Sequence, residues 1–386
     1  MKRASTISAD ILAAATLSPG PRPVSRPAPA SVAQGDWTAY RLDEAAEQLI
    51  NPPDRLKRLG RGQAMAIGTV QRALATCAEI PERGSSTAVA VGSSVCEEGD
   101  EIAFLQKIIE LGEKAAKPAY FVNSVKNALA SQLALTFGWQ GENQTFFHGG
   151  LSFESALWQG ARLLCAGRAH RAVVCGVDSM VELQEMEGHL LGFYRSDVQP
   201  LEPLAGFSRS GSNAAAGPAG TIPGEGGAAL VMAARGTVPS AVATLLGVRL
   251  GGPVIRSPAP AIDDEVAFVQ DAASAMGLEL SSVGLVLVGA NGDAALDAAY
   301  AAVSERLLTL APKAGLGVYR HQTGDFPVAS GLGLALAVRA VSERAIPPEL
   351  RLVAPPPAAN AGGGAVLLYH LTAAGYHSVM AVAAPS

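Results

Sequence analysis

The sequence predicts an α/β protein built from two halves with a similar order of elements. Segments with apolar residues at helical spacing alternate with short apolar segments typical of buried strands, which favours a largely parallel sheet covered by helices. A stretch rich in Gly, Ser, Ala and Pro, residues 206–223, interrupts the alternation and predicts a loop between the halves. We therefore expect an N-terminal half over residues 1–205 and a C-terminal half over residues 224–386. No sequence repeat relates the two halves, so their similarity rests on the order of elements alone.

The composition of the 386-residue chain indicates a large buried surface. Hydrophobic residues make up 49% of the chain and charged residues only 16%, which indicates sheets covered on both faces or a buried subunit interface. An oligomer is therefore expected. The formal net charge of -5 gives no electrostatic sign of nucleic-acid binding, so no nucleic-acid partner is expected. No apolar run reaches the roughly 18 to 20 residues of a membrane helix, so no membrane span is expected either.

The cysteines predict a cytoplasmic protein. Four of them in a chain of this length make no disulfide framework, and none is spaced as C-x-x-C. No cluster of His, Asp or Glu has the spacing of metal ligands, so neither a metal nor another cofactor is predicted.

The periodicity of the chain assigns its elements in order. Residues 11–17 predict a first strand, because the apolar run is too short for a signal peptide, and the Pro-rich residues 19–34 predict an extended surface loop. The rest of the N-terminal half predicts helices at residues 61–77, 127–137 and 152–166, and strands at residues 87–91, 144–147 and 172–175. The C-terminal half predicts helices at residues 264–276, 296–307 and 330–341, and strands at residues 228–233, 283–288, 365–369 and 378–382.

Five motifs follow one another along the chain. The longest, residues 143–178, combines a strand, a glycine turn, a helix and a second strand. The others are GEGGAA at residues 224–229, LVLVGANGDAALD at 285–297, GDFPVASG at 324–331 and GGG at 362–364. In this order they resemble the β-ketoacyl synthase family of the thiolase superfamily. The resemblance implies a thiolase-like five-layered αβαβα sandwich of two pseudo-symmetric halves.

The resemblance also shows which chemistry is missing. A synthase of this family holds its acyl chain on a cysteine thiolate at the head of a helix, where the helix dipole favours the thiolate. The matching position is Gly150, which has no nucleophile. Two further family positions, which donate hydrogen bonds to the enolate of the malonyl unit, are Asn291 and Asp325. Asn291 can still donate, but a carboxylate at Asp325 would repel the enolate unless it were protonated.

We therefore predict no catalytic residue and treat Gly150, Asn291 and Asp325 as vestigial positions of the catalytic triad. The alternative is that the nucleophile turn is misaligned by a residue or two. Its weakness is that the nearest cysteine, Cys165, lies well down the following helix.

Three side chains remain candidates for a pocket. His148 and Ser152 flank Gly150, but no G-x-S-x-G elbow is present. Ser152 is interpreted chiefly as the N-cap of the following helix, and His148 chiefly as a structural histidine on the turn. His321 precedes Asp325 by a few residues and either faces the pocket or lies on a solvated loop.

The resemblance further implies partners. Family members pair through the strand before the nucleophile, which makes Thr145, Phe146 and Phe147 candidates for a dimer interface. An active β-ketoacyl synthase subunit is then the expected partner. Acyl carrier protein is a second possible partner, to which a basic group can bind, although a solvated start of a helix is the more common explanation of such a group. The group consists of Arg55, Lys57, Arg58 and Arg61.

Synthase-like chains without the nucleophile resemble chain-length factors, which pair with an active synthase and shape the tunnel for the growing polyketide or polyene. The expected function is therefore that of a non-catalytic subunit in a fatty-acid-like or polyketide system, including the aryl-polyene kind. Two alternatives stay open. One is an enzyme that uses His148, Ser152, Asn291 and Asp325 for different acyl chemistry, and the other is a scaffold that binds acyl chains or carrier protein.

Overall fold

The strands and helices were assigned in a computed structural model. It describes residues 7–20, 22–28, 36–50, 59–96, 98–115, 118–197, 199–208, 218–252, 262–356 and 364–385. The helices are α1 (Glu44–Ile50), α2 (Arg61–Thr76), α3 (Glu98–Leu111), α4 (Pro118–Ser124), α5 (Ala128–Phe137), α6 (Ser152–Cys165), α7 (Glu182–Leu190), α8 (Ile262–Ala275), α9 (Ala294–Leu310) and α10 (Ala329–Glu343). The strands are β1 (Ala9–Leu17), β2 (Val24–Pro27), β3 (Asp36–Ala39), β4 (Thr87–Gly92), β5 (Asn143–Phe146), β6 (Arg171–Asp178), β7 (Gly226–Ala234), β8 (Ala243–Gly251), β9 (Val283–Val288), β10 (Gly315–Val318), β11 (Arg351–Ala354), β12 (Ala365–Leu371) and β13 (His377–Ala383).

Eleven of these strands form one hydrogen-bonded sheet in the order β11-β10-β9-β12-β13-β8-β1-β7-β6-β4-β5. β1 joins the two sides, since it pairs with β7 along its whole length but with β8 only over residues 9–11. The sheet therefore divides into two parts that diverge beyond Ile11. Within the described residues, β5 pairs only with β4 and ends one side of the sheet.

The helices form three layers around the two parts of the sheet. α6 and α10 lie in the middle, because one core cluster unites their side chains with Val174 from one part of the sheet and Leu285 from the other. α2 and α5 cover the outer face of the first part, and α8 and α9 cover the outer face of the second. The arrangement is the five-layered αβαβα sandwich that the resemblance implies, so the fold prediction is confirmed.

The elements differ from the sequence predictions mainly at the two ends of the sandwich. The predicted loop at residues 19–34 contains a strand, since β2 lies within it and pairs with β3 as an antiparallel ribbon. Residues 21 and 29–34 lie outside the described residues. Pro27 is tolerated because a two-stranded ribbon leaves one side of each strand without a ladder partner. The other elements that were not predicted are the helices α1, α3, α4 and α7 and the strands β3, β8, β10 and β11. The division of the chain at residues 206–223 stays a prediction, and residues 209–217 lie outside the described residues.

Candidate active site

Gly150 lies where the resemblance places the nucleophile, in a turn of 3₁₀ helix from Gly149 to Leu151 at the head of α6. A Cβ atom at this position would lie 2.5 Å from Cγ2 of Thr372 and 4.0 Å from Cε1 of His370. The first distance is too short for two carbon atoms, so any side chain at residue 150 requires Thr372 to move. We call the space in front of the turn the vestigial chamber, and Thr372 occupies the part of it where a side chain of residue 150 would begin.

The other two vestigial positions contact each other. Nδ2 of Asn291 donates a hydrogen bond of 2.7 Å to Oδ2 of Asp325, while Oδ1 of Asn291 accepts from the amide of Asp293 at 3.1 Å. The turn that carries Asn291 is held by Asp297, whose Oδ1 accepts the amides of Asn291 and Gly292. The amide of Asn291 therefore already donates to a carboxylate within the chain.

Arg320 connects Asp325 to a second buried pair. Its guanidinium forms an ion pair with Oδ1 of Asp325, and its Nη2 lies 3.0 Å from Nε2 of His370. Nδ1 of His370 lies 2.8 Å from Oε1 of Glu154, which also accepts a hydrogen bond of 3.0 Å from Ser378. We call the chain of side chains Glu154, His370, Arg320, Asp325 and Asn291 the buried relay.

The positions of the protons in the buried relay follow from the donors and acceptors. A guanidinium can only donate, so Nε2 of His370 must accept from Arg320. The imidazole then carries its proton on Nδ1 and donates it to Glu154. Burial lowers the pKa of His370, Glu154 opposes this effect, and Arg320 reinforces it, which favours the same neutral form. Glu154 is 0% exposed, His370 1% and Arg320 4%, so solvent has little access to these three members, whereas the side chain of Asp325 is 26% exposed.

The pocket candidates at the turn bond locally. His148 is exposed, with Nδ1 3.0 Å from Oγ of Ser155 and its ring edge against Tyr376. Oγ of Ser152 accepts the amide of His148 at 2.8 Å. The prediction that Ser152 is the N-cap is wrong, because the preceding 3₁₀ turn starts the helical path earlier and Leu151 holds the cap position. Of the predicted residues, the structure thus brings together Asn291 and Asp325, but not His148.

His321 follows Arg320 in the same turn of 3₁₀ helix. It is half-buried, and burial together with the nearby charge of Arg351 lowers its pKa to about 4. Its carbonyl oxygen accepts a hydrogen bond of 3.0 Å from the hydroxyl of Tyr40. Among the described contacts, none joins its ring to Gly150, Asn291 or Asp325.

The predicted interface residues lie on or beside the edge strand β5. Thr145 and Phe146 belong to the strand, and Phe147 follows it with its ring 4.7 Å from Nζ of Lys126. Oγ1 of Thr145 is buried without a hydrogen-bond partner among the described residues. The dimer itself stays a prediction.

The basic group is described only in part, since Arg55, Lys57 and Arg58 lie outside the described residues. Arg61 begins α2 and forms ion pairs with Glu47 and with the buried Glu225. The described part of the chain contains no group of three or more His, Cys, Asp or Glu side chains that could hold a metal ion. No helix there combines the length and the apolar character needed to cross a membrane.

Several residues of the buried relay escaped sequence analysis. Arg320 and His370 lie outside the five motifs, and Glu154 lies within the first of them, at residues 143–178, but was not predicted as a site residue. One signal was readable, since His370 interrupts the otherwise apolar strand AVLLYHL. An ionisable residue inside a buried strand needs a partner, which here is Glu154.

The family follows from comparison with known proteins. A model of the beta-ketoacyl synthase N-terminal domain matches residues 26–236, which is more than half of the chain. The chain belongs to the beta-ketoacyl synthase family. No curated protein sequence matches this family member significantly.

Solved structures share the fold of this beta-ketoacyl synthase family member along nearly its whole length. The ishigamide ketosynthase/chain length factor is 18% identical with a TM-score of 0.77, and the alignment covers 99% of this chain and 100% of that one. A beta-ketoacyl synthase from Burkholderia phymatum is 16% identical with a TM-score of 0.75 and full coverage of both chains. A type II polyketide synthase ketosynthase in complex with its acyl-carrier protein is 13% identical with a TM-score of 0.75, covering 97% and 99%. At these identities the likeness establishes the fold.

Proposed function

We propose that this chain is a non-catalytic, ketosynthase-like subunit of the chain-length-factor type. It would pair with an active β-ketoacyl synthase in the cytoplasm and shape the pocket for the acyl or polyene chain in fatty-acid-like or polyketide biosynthesis. The observation that carries the proposal is the glycine at residue 150, whose Cβ position is blocked by Thr372. A helix head without a nucleophile, inside an intact synthase fold, retains the structure of the family without its acyl transfer.

The remaining vestigial positions support the loss of condensation. Catalysis requires donors aimed at the oxygen on which charge develops. Asn291 donates to Asp325, and Asp325 presents a carboxylate paired with Arg320. An enolate formed beside this carboxylate would be repelled rather than stabilised.

A partner is supported by an apolar surface next to the edge strand. The helix α3 carries several apolar side chains, yet the single chain fully buries none of its residues. It packs against α4 through Phe104 and Phe121. The outward side chains of the two helices, which we call the α3–α4 face, include Leu105, Ile109, Leu111, Phe121 and Val122 with exposures of 49% to 83%.

The α3–α4 face continues to β5 through residues 125–126, since Lys126 follows α4 and its ammonium group lies over the ring of Phe147. An open sheet edge beside exposed apolar helices is typical of a surface that another subunit covers. A synthase-fold partner suits this surface because the same edge would pair with its counterpart. One solved relative is itself described as a ketosynthase/chain length factor. Acyl carrier protein would then bind the assembled pair.

The two alternatives make different demands on the vestigial chamber. An enzyme with different acyl chemistry requires His148, Asn291 and Asp325 around an open pocket, whereas His148 bonds to Ser155 instead. A scaffold for acyl chains or carrier protein is compatible with an occupied chamber. The scaffold is the second candidate function. Pairing with a synthase distinguishes the proposed chain-length-factor-type subunit from a scaffold.

The decisive experiment is co-expression with candidate active synthases, followed by purification and measurement of mass by light scattering. We expect a stable hetero-pair whose products differ in chain length from those of the synthase alone. Ile109→Asp, on the α3–α4 face, should abolish the pair. Ile80→Asp is the matched control, because Ile80 lies outside this face, on the loop after α2, and is 64% exposed, against 83% for Ile109. Recovery of only monomers or homodimers, with unchanged products, would refute the proposal.

A further inference from the structure

The buried relay lies next to Gly150, the position at which the acyl chain would be attached in an active synthase. His370 lies 4.0 Å from the Cβ position of Gly150, and Thr372 lies closer still. Glu154 enters from the first turn of α6, His370 from β12, and Arg320 from the 3₁₀ turn after β10. The relay therefore unites elements of both halves of the sandwich directly behind the vestigial nucleophile.

The members of the relay are linked in series by hydrogen bonds and one ion pair. Arg320 is the one cation of the set and forms an ion pair with Asp325. It also donates to the neutral imidazole of His370, which in turn donates to Glu154. Asn291 and Ser378 donate to the two carboxylates from the two ends of the relay. Removal of one buried charged partner usually costs several kcal/mol, about 3 to 5, since it leaves the other unpaired. The members thus hold one another in place.

We propose that the buried relay and Thr372 are a built-in filling of the vestigial chamber, which excludes acyl chains from this subunit. This inference does not rest on the proposed function, because a subunit that shapes a partner's pocket can do so with its own chamber open or closed. The ligand class that the filling excludes is a long-chain acyl group. Reducing the volume of the filling should therefore turn the chamber into an acyl-binding site.

The test measures binding of cis-parinaric acid, a fluorescent fatty acid, to the purified full chain. We expect no saturable binding by the natural sequence. A triple variant that combines Glu154→Ala, His370→Ala and Thr372→Ala should bind the probe saturably. Its affinity should be at least tenfold above any residual binding by the natural sequence. Glu154→Gln, which retains the volume, should behave like the natural sequence.

The chain offers a matched control in a second buried Glu–His pair. Glu265 lies 2.7 Å from Nδ1 of His377, in the layer of α8, and both residues are buried. Glu265→Ala with His377→Ala removes the same groups at another place and should bind no probe. This control separates opening of the vestigial chamber from general loosening of the fold.

Two results would overturn the inference. One is saturable binding of the probe by the natural sequence, and the other is a folded triple variant that binds no better than the control. If the triple variant does not fold, a second experiment tests the inference. A cysteine is introduced by Gly150→Cys, and its rate of labelling by iodoacetamide is measured with and without Thr372→Gly. Labelling should be at least tenfold faster with Thr372→Gly than without it, and equal rates refute the filling. None of these readouts involves a partner, so their failure leaves the co-expression test unaffected.

Discussion

Asn291 and Asp325, to which the family resemblance assigns two positions of the catalytic triad, are bonded to each other by a 2.7 Å hydrogen bond from Nδ2 to Oδ2. In an active synthase these positions would both point hydrogen-bond donors at substrate. Here one is a donor and the other its acceptor, so the pair satisfies itself. The carboxylate at Asp325 therefore has partners around it that fit a carboxylate. Restoring the family's residue at one of the three positions would leave the other two, and their contacts, unchanged.

Gly150→Cys alone should restore no condensation. The new Cβ would lie 2.5 Å from Cγ2 of Thr372, and the donors needed for decarboxylation remain absent. We expect no ketoacyl product and a loss of about 1 to 3 kcal/mol in the free energy of unfolding from overpacking. Product formation is measured by mass spectrometry with acyl carrier protein substrates, and stability by denaturant unfolding.

Acyl loading of the natural sequence supplies the matching control. After incubation with acyl carrier protein, no covalent adduct should appear on any peptide that covers residues 146–155. An adduct there would show that a nucleophile had been overlooked.

Arg320→Met should be strongly destabilising. It leaves Asp325 and the Glu154–His370 pair without their cation, and we expect a loss of about 3 to 5 kcal/mol in the free energy of unfolding. Arg306→Met is the control, because Arg306 pairs with Asp263 at the surface, where both side chains are 62% or more exposed. Its effect should stay below about 1 kcal/mol. Similar losses for both variants, by urea unfolding, would argue against a buried charge network.

The buried strands and central helices were predictable because their apolar patterns match their burial. Residues 283–288 are the plainest case, since the predicted strand and β9 have the same bounds. β10 was missed because its sequence GLGV is short and half glycine, and α3 because its acidic first turn precedes apolar residues that stay uncovered in the single chain. The apolar pattern of a sequence predicts an element most clearly where the chain itself buries the apolar side chains of that element.

The proposed vestigial positions could be named from the sequence for a different reason. Gly150, Asn291 and Asp325 lie within motifs whose order is local to the sequence. The relay is not local, since Glu154 and His370 are 216 residues apart and Arg320 and His370 are 50 apart. Only the fold brings β12 beside the head of α6, so the partners of these charges could not be read from spacing.

His321→Gln should change how stability depends on pH. Burial and Arg351 lower the pKa of His321 to about 4, from about 6.5 in the unfolded chain. Between these values the unfolded state binds the proton and the folded state does not, so His321 lowers stability as the pH falls from 6.5 to 4. Above 6.5 its contribution is constant.

Comparison of the natural sequence with the His321→Gln variant separates the effect of His321 on stability from the effects of the other titratable groups. Burial raises the pKa of Asp178 to about 6, which acts in the opposite direction, because the folded state then holds the proton and stability falls as the pH rises from about 4 to 6. Asp178 is present in both proteins, so its effect cancels in the difference. Relative to the natural sequence, His321→Gln should therefore gain stability steadily as the pH is lowered from 6.5 to 4. A difference that stays flat over this range, in urea unfolding at several pH values, would show that His321 titrates normally in the folded protein.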